Sequence, residues 1–200
     1  MRILIAIALL VLTVVLWEGH RELALDHKLS KVATKVAGRP VSVDCPGFLR
    51  SLLDISANGG SVRFDANGKP SSTTHLQTDV CGYLAAYSHT RKSSDFACVY
   101  SSVRCSEKVE HAVYAALVLS HEVQHLRGVS VESDAQCFGI QMLPQVAELL
   151  GSPPTEAQAV AKHYLAVQQP WMDQDYALSA NCVDGGSLDL HPESSNWPGG

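Results

Sequence analysis

Apolar positions follow helical spacing most clearly between Glu107 and Arg127, in the second half of the chain. Ser106 is suited to cap the start of this helix, and Gly128 is suited to end it. Residues 112–119 are apolar on nearly every side, which is typical of a helix at the centre of a fold. The pattern therefore predicts a central helix over 107–127.

Two further helices are predicted after the central one. The first covers 130–150, is disturbed by Pro144 and ends at Gly151. The second covers 156–168 and has Thr155 as its N-cap. The remaining tail is rich in Gly, Ser and Pro, so we expect it to be irregular.

The first half of the chain mixes strand and helix patterns. Residues 41–43 and 61–65 alternate apolar and polar side chains, as half-buried strands do. A short helix from Phe48 to Leu53 and a longer one from Thr74, as cap, to Tyr87 are predicted from their periodicity. The fold class is therefore mainly α (α+β), with a small sheet in the N-terminal half and helices packed around the central one.

The N-terminus reads as an export signal. Arg2 precedes an apolar run over 3–17, and the run lacks a small-x-small cleavage site. Fifteen residues make about 22 Å of helix against a bilayer core of roughly 30 Å, and Arg2 and Trp17 could extend the span at the two interfaces. We expect a membrane anchor at 1–20, with a cleaved signal peptide as the alternative, and the rest of the chain outside the cytoplasm.

The anchor is followed by two predicted regions. Residues 21–38 have helical periodicity and would form a stalk that leads away from the membrane. Residues 39–200 would form one domain, since that length suffices for a hydrophobic core.

The cysteine content agrees with export. An even number of cysteines in an exported chain predicts up to three disulfides. Local spacing suggests Cys98–Cys105, and Cys137–Cys182 would tie the tail to the central region, but six cysteines allow 15 pairings. No two cysteines have CxxC spacing, which argues against a cysteine-based zinc site. The six are Cys45, Cys81, Cys98, Cys105, Cys137 and Cys182.

The charge pattern excludes one class of function. Lys and Arg total 15, the formal net charge is −5, and the basic residues do not cluster. Nucleic-acid binding needs a basic patch. We therefore expect no nucleic-acid partner.

The central helix carries the motif His121-Glu122-Val123-Gln124-His125. Side chains four apart share a helix face, so both imidazoles could bind one zinc ion. Glu122 points about 100° away from His121, where it could act as general base on a water at the metal. His111 lies about 15 Å back along the same helix, too far to bind the same ion.

A catalytic zinc needs a third protein ligand. Gly128 lets the chain turn back, and Glu132 and Asp134 follow within reach. We favour Glu132 over Asp134, with the small Ala135 packed beneath the motif helix. The alternative is that both acids only favour a helix N-terminus.

The motif with Glu132-Ser133-Asp134-Ala135 resembles the gluzincins, zinc peptidases with two His ligands on one helix and a Glu on the next. The match covers about 30 residues over 114–143, and segments near it are similar to exported, uncharacterised actinobacterial HExxH proteins. The resemblance implies His121, His125 and Glu132 as zinc ligands. Six residues separate His125 from Glu132, far fewer than in thermolysin-like gluzincins. Gly128 also fits the metzincin pattern, but Val131 stands where that pattern has its third His.

The resulting expectation is an extracytoplasmic zinc metallopeptidase that acts on peptide or protein, with Glu122 as general base. The alternatives are a catalytically silent zinc-containing binding or regulatory module, and a zinc hydrolase of non-peptide amides or esters. Strand 61–65 could align a substrate. The candidates for stabilising the oxyanion are Tyr164, Tyr176, His163 and His191, although we expect His163 on the polar side of its helix.

Overall fold

The structure, a computed structural model, describes residues 23–46, 59–194 and 197–198, together with Thr13 and Gly19. Five helices and three strands lie in these residues, so the prediction of a mainly α fold with a small sheet in the N-terminal half is confirmed. In chain order they are α1 (23–37), β1 (Ser42–Asp44), β2 (Gly60–Phe64), β3 (Pro70–Leu76), α2 (Thr78–His89), α3 (Glu107–Leu126), α4 (Glu132–Leu150) and α5 (Pro154–His163).

Among the described residues, the sheet has the order β1-β3-β2, so β2 is an edge strand there. β1 pairs with β3 in parallel and β2 pairs with it antiparallel. The helix predicted to start at Thr74 is wrong in its first turn, because Thr74 lies in β3 and α2 begins at Thr78. Threonine is β-branched and suits a strand, and here Thr74 and Leu76 point to the buried side.

Helix α1 packs into the core of the domain. Leu29, Val32 and Val36, spaced three and four apart, are buried there. Ser30 Oγ accepts a 2.8 Å hydrogen bond from the backbone N–H of Val43 in β1. The described part of the predicted stalk is therefore helical, and it shares the core of the domain instead of standing apart from it.

Helix α3 is the central element, as predicted, with residues 109–126 almost all buried. Gly128 ends it with φ +103°, and Gly151 ends α4 with φ +116°, a conformation that glycine adopts without strain. The third helix is shorter than predicted. It ends at His163, continues as a π-helical turn over Tyr164–Gln168, and has Pro153 rather than Thr155 at its N-cap.

The six cysteines form three disulfides: Cys45–Cys81, Cys98–Cys105 and Cys137–Cys182. Both pairs suggested from spacing are confirmed. Cys45–Cys81 links the end of β1 to α2, and Cys137–Cys182 fastens the tail to α4. Three disulfides indicate an oxidising, extracytoplasmic environment.

Two predictions fall on other parts of the chain. The signal or anchor at 1–20 lies outside the described residues, apart from Thr13 and Gly19, and so does the helix predicted from Phe48 to Leu53. Within the described residues, no helix has both the length and the apolar character needed to cross a bilayer.

Candidate metal centre

The imidazoles of His121 and His125 meet on one face of α3. Their Nε2 atoms are 2.9 Å apart, and each residue is 5% exposed. The cause is the spacing of four residues, which places the two side chains one above the other on a helix. The predicted pairing of the two rings is present in the structure.

Glu132, the first residue of α4, completes a cluster of three ligand atoms. Its Oε2 lies 3.0 Å from His121 Nε2 and 3.2 Å from His125 Nε2. Ligands at zinc-like bond lengths of about 2.0–2.1 Å in a tetrahedron are about 3.3 Å apart. The observed separations are within a few tenths of an ångström of that spacing, so the three side chains could hold a metal ion.

A close contact between α3 and α4 brings Glu132 within reach. An added Cβ at Gly139 would lie 3.1 Å from the Cα of His121, so no larger residue fits without movement. Ser120 Oγ donates a 2.7 Å hydrogen bond to the Gly139 carbonyl at the same point. Ala135 is fully buried one turn earlier, as the sequence suggested.

The hydrogen-bond partners fix which imidazole nitrogens carry protons. His125 Nδ1 lies 2.7 Å from the Val129 carbonyl, which can only accept, so this nitrogen donates. His121 Nδ1 lies 3.1 Å from Gln136 Oε1 and donates in the same way. In the neutral rings, both Nε2 atoms therefore carry lone pairs, and these face the Glu132 oxygen.

Three lone pairs that converge in this way need a positive charge between them. The charge can be an additional proton on the imidazoles or a metal cation. Burial, followed by the neighbouring His121, lowers the pKa of His125, which disfavours an additional proton on that ring. Contact with the two imidazoles, above all with that of His121, lowers the pKa of Glu132, which favours the ionised carboxylate that a metal ligand requires. The donor set therefore fits a divalent cation.

Glu122 stands beside this cluster in a different environment. It is 5% exposed, and a ligand atom of its carboxylate lies within 4.8 Å of those of His121 and His125. Its Oε2 is 3.3 Å from Thr74 Oγ1, which can donate to it. Burial raises the pKa of Glu122 to about 7, against opposing effects of His121 and Thr74.

A narrow cleft opens at Glu122. Gly60 of the edge strand β2 forms one wall, and Met172 and Tyr176 form the other. Its volume is about 30 Å³, which is room for one or two water molecules. A larger cavity of about 540 Å³ adjoins it, because Tyr114 and Met172 line both.

The four candidates for oxyanion stabilisation are spread over the molecule. Tyr176 lies at the site, with its ring centroid 5.5 Å from that of His121. Tyr164 is fully buried behind it, where its hydroxyl accepts a hydrogen bond from Gln136. His191 is exposed and pairs with Glu193.

The prediction that His163 lies on the polar side of its helix is wrong. It is 1% exposed, and its Nε2 lies 3.0 Å from Glu110 Oε1. Cys105 lies close enough to form a second group of metal-binding type with them. Its sulfur is bonded to Cys98, however, so no thiolate is free to bind a metal.

Comparisons with protein-family models, with curated proteins and with solved structures found no match to this chain. The local part of the resemblance stated above is present in the structure, as two histidines and a glutamate at HExxH spacing beside a possible metal site. Membership of the gluzincins remains a prediction.

Proposed function

We propose that the chain is an extracytoplasmic zinc-dependent peptidase, with zinc held by His121, His125 and Glu132. The convergence of three lone pairs, described above, is the observation that carries the proposal. Two nitrogens and one carboxylate oxygen are the ligand types of catalytic zinc sites, which keep one further position open. Glu132 has a half-exposed side chain, so the open position can face the solvent side of the cleft.

Glu122 supplies the acid–base chemistry in this proposal. When bound, zinc would lower the pKa of a coordinated water and polarise a substrate carbonyl. Glu122 would take the proton of the attacking water and return it to the leaving amine. Burial raises the pKa of Glu122, which favours uptake of a proton by this carboxylate, whereas a bound cation would lower the same pKa.

The edge strand β2 is suited to hold a peptide substrate. Its N-terminal end reaches Glu122 at Gly60, and the Phe64 ring at its other end lies 6.2 Å from the His125 ring. An extended peptide could add by backbone hydrogen bonds to the edge of β2 that no described strand pairs with, and so pass both residues. Tyr176 faces the same cleft and could donate its hydroxyl proton to the developing oxyanion.

A catalytically silent zinc-binding module is the second candidate. The small volume beside Glu122 favours it, because Met172 and Tyr176 must move before a peptide can enter. The same volume would suit a zinc hydrolase of small non-peptide amides or esters. The buried carboxylate of Glu122 argues against a silent module, since a structural metal site needs no base.

The experiment compares wild type with Glu122→Gln, each produced as the full chain with its disulfides formed. Metal content is measured, and both proteins are incubated with a peptide mixture whose new termini are read by mass spectrometry. We expect one zinc per chain in both and cleavage by wild type alone, lost with a chelator and restored by zinc. A protein without zinc would contradict the metal centre. One zinc per chain without peptide cleavage would favour the silent module or the hydrolase of small amides or esters. Assays with a panel of amides and esters would then distinguish these two.

A further inference from the structure

A chain of side-chain amides runs from His121 to the segment that lines the cleft. His121 Nδ1 lies 3.1 Å from Gln136 Oε1, and Gln136 Nε2 donates to Gln169 Oε1 at 2.7 Å. Gln169 Nε2 in turn donates to the Tyr176 carbonyl at 2.9 Å. Three consecutive hydrogen bonds thus join a residue of α3, a residue of α4 and the segment that follows α5.

The direction of every bond in this chain follows from its last member. A backbone carbonyl can only accept, so Gln169 must present its NH₂ to Tyr176 and its oxygen to Gln136. Gln136 must then present its NH₂ to Gln169, which leaves its oxygen for His121. If Gln136 were reversed, its oxygen would face the oxygen of Gln169. Because Gln136 is 1% exposed, solvent could not relieve that contact.

A second partner holds Gln136 in the same orientation. Its Nε2 also donates to the Tyr164 hydroxyl at 2.9 Å, so both amide protons are used. Burial raises the pKa of Tyr164, so this hydroxyl stays protonated. Gln136 therefore offers His121 an oxygen that has no competing donor among the side chains described around it.

We propose that Gln136 and Gln169 are positioning residues that hold His121 in its Nδ1–H tautomer, so that its Nε2 lone pair faces the cation. Without the oxygen of Gln136, the proton would move to Nε2, where Glu132 Oε2 at 3.0 Å and His125 Nε2 at 2.9 Å can accept it. In that tautomer, a proton occupies the Nε2 lone pair that would otherwise bind the metal ion. Its effect on metal affinity rests on the proposed function, but the tautomer itself does not.

The same chain links the metal centre to the wall of the cleft. Gln169 begins the 3-10 turn Gln169–Trp171. Of the residues that line the cleft, Met172 follows this turn directly and Tyr176 lies four residues further along. Movement of this segment away from α4 would separate Gln169 from Gln136. The segment that lines the cleft therefore also orients His121, a ligand in the proposed metal centre.

The first test measures the tautomer in the metal-free full chain by ¹⁵N NMR of histidine, at about pH 8 where an ordinary imidazole is neutral. His121→Asn assigns the resonances. We expect a protonated Nδ1 in wild type and in Gln141→Leu, and a protonated Nε2 in Gln136→Leu. Gln141 is the matched control, because it lies on α4 and its amide also makes long-range bonds, here to the backbone of Leu188 and Leu190.

The second test measures zinc affinity by competition with a chelator. We expect a loss of roughly 10- to 100-fold in Gln136→Leu and a smaller loss in Gln169→Leu, the usual range when the partner of a metal-binding histidine is removed. Gln136→Glu keeps an acceptor for Nδ1 and should restore the affinity, although it buries a charge and lowers the melting temperature. If the two glutamines only stabilised the fold, the zinc affinity of each variant would instead fall in step with its melting temperature.

Two results would overturn the proposal: an unchanged His121 tautomer in both leucine variants, or a zinc affinity that falls as far in Gln141→Leu as in Gln136→Leu. If Gln136→Leu does not fold, Gln169→Leu decides, because Gln169 is only partly buried. If the protein binds no zinc at all, the proposed function fails, while the tautomer measurement still decides the role of the two glutamines.

Discussion

The carboxylate of Glu122 lies directly against the backbone of Gly60, with no space for a side chain between them. An added Cβ at Gly60 would come 2.6 Å from Glu122 Cγ and 2.8 Å from its Oε1. Contacts this short do not occur, so one of the two groups would have to move. The edge strand β2 therefore sets the position of the carboxylate proposed as general base.

Gly60→Ala should displace Glu122 while leaving the three metal ligands in place. We expect peptide hydrolysis to fall roughly 100-fold, the cost of a misplacement of about 1 Å, and the zinc dissociation constant to stay within about threefold of wild type. Gly59→Ala is the control, since the nearest atoms to its Cβ would be Val118 Cγ2 at 3.1 Å and the Tyr114 hydroxyl at 3.3 Å, and none belongs to Glu122. Equal hydrolysis by Gly60→Ala and wild type would show that the contact with Gly60 does not set the position of the base.

The raised pKa of Glu122 predicts how stability depends on pH in the metal-free protein. The folded state binds more protons than the unfolded state between the ordinary carboxyl pKa of 4.5 and about 7. Ionisation of Glu122 therefore leaves the free energy of unfolding unchanged below that window. As pH rises through the window, the free energy of unfolding falls by up to about 3 kcal/mol. Glu122→Gln does not titrate, so it should be more stable than wild type above about pH 7 and equal to it near pH 4.

Urea unfolding with a chelator present, at several pH values, measures this difference. Glu132→Gln is a control for which we expect the opposite dependence of the free energy of unfolding on pH. Its carboxyl has a lowered pKa in the folded protein, so wild type gains stability from Glu132 at neutral pH and loses it as pH falls. A Glu122→Gln advantage that grew toward acid would contradict the assignment of Glu122 as a buried, destabilising carboxylate.

Glu132→Ala should weaken zinc binding far more than Asp134→Ala does. Glu132 contacts both imidazoles, and loss of a ligand should cost more than the roughly 10- to 100-fold that loss of a ligand's partner costs. Chelator competition measures both constants. The two variants remove one acidic group each from the first turn of α4, so their effects on the helix N-terminus are similar. The reverse order of effects would make Asp134 the third ligand.

His163→Ala should lower stability without changing the metal content. His163 contacts the carboxylate of Glu110, and removal of one partner from a buried hydrogen bond costs about 1–3 kcal/mol. His191→Ala, at an exposed position, should change the free energy of unfolding by less than about 0.5 kcal/mol. Metal analysis should still find one zinc per chain in His163→Ala. A loss of zinc there would mean that this second cluster binds metal.

Local patterns were sufficient for part of this fold and site. The apolar run around 112–119 identified the central helix, and the spacing of His121 and His125 brought their rings together. Gly128 indicated a turn of the chain, which is how Glu132 could be proposed from its position alone. Each of these inferences depends on residues that are neighbours in sequence.

The remaining features depend on contacts between distant residues. Thr74 is polar and follows two serines and a threonine, so it resembled a helix cap, yet it lies buried in β3 beside Glu122, 48 positions away. Gln136 and Gly60 carry no motif of their own. Gln136 could have been noticed as a polar residue on the apolar face of α4, one turn after Glu132. Only the packing of strand against helix shows why residue 60 is a glycine.

The contact at Gly139 has a consequence for which ions the protein could accept. Main-chain atoms of two helices touch there, so the distance from His121 to the start of α4 cannot shrink and can grow only if the helices part. Calcium binds six to eight oxygen ligands at about 2.3–2.6 Å. Zinc is usually four-coordinate, with nitrogen or oxygen ligands at about 2.0–2.2 Å. In the proposed centre, two imidazole nitrogens and one carboxylate oxygen on helices packed this closely should therefore disfavour calcium, which is abundant outside cells.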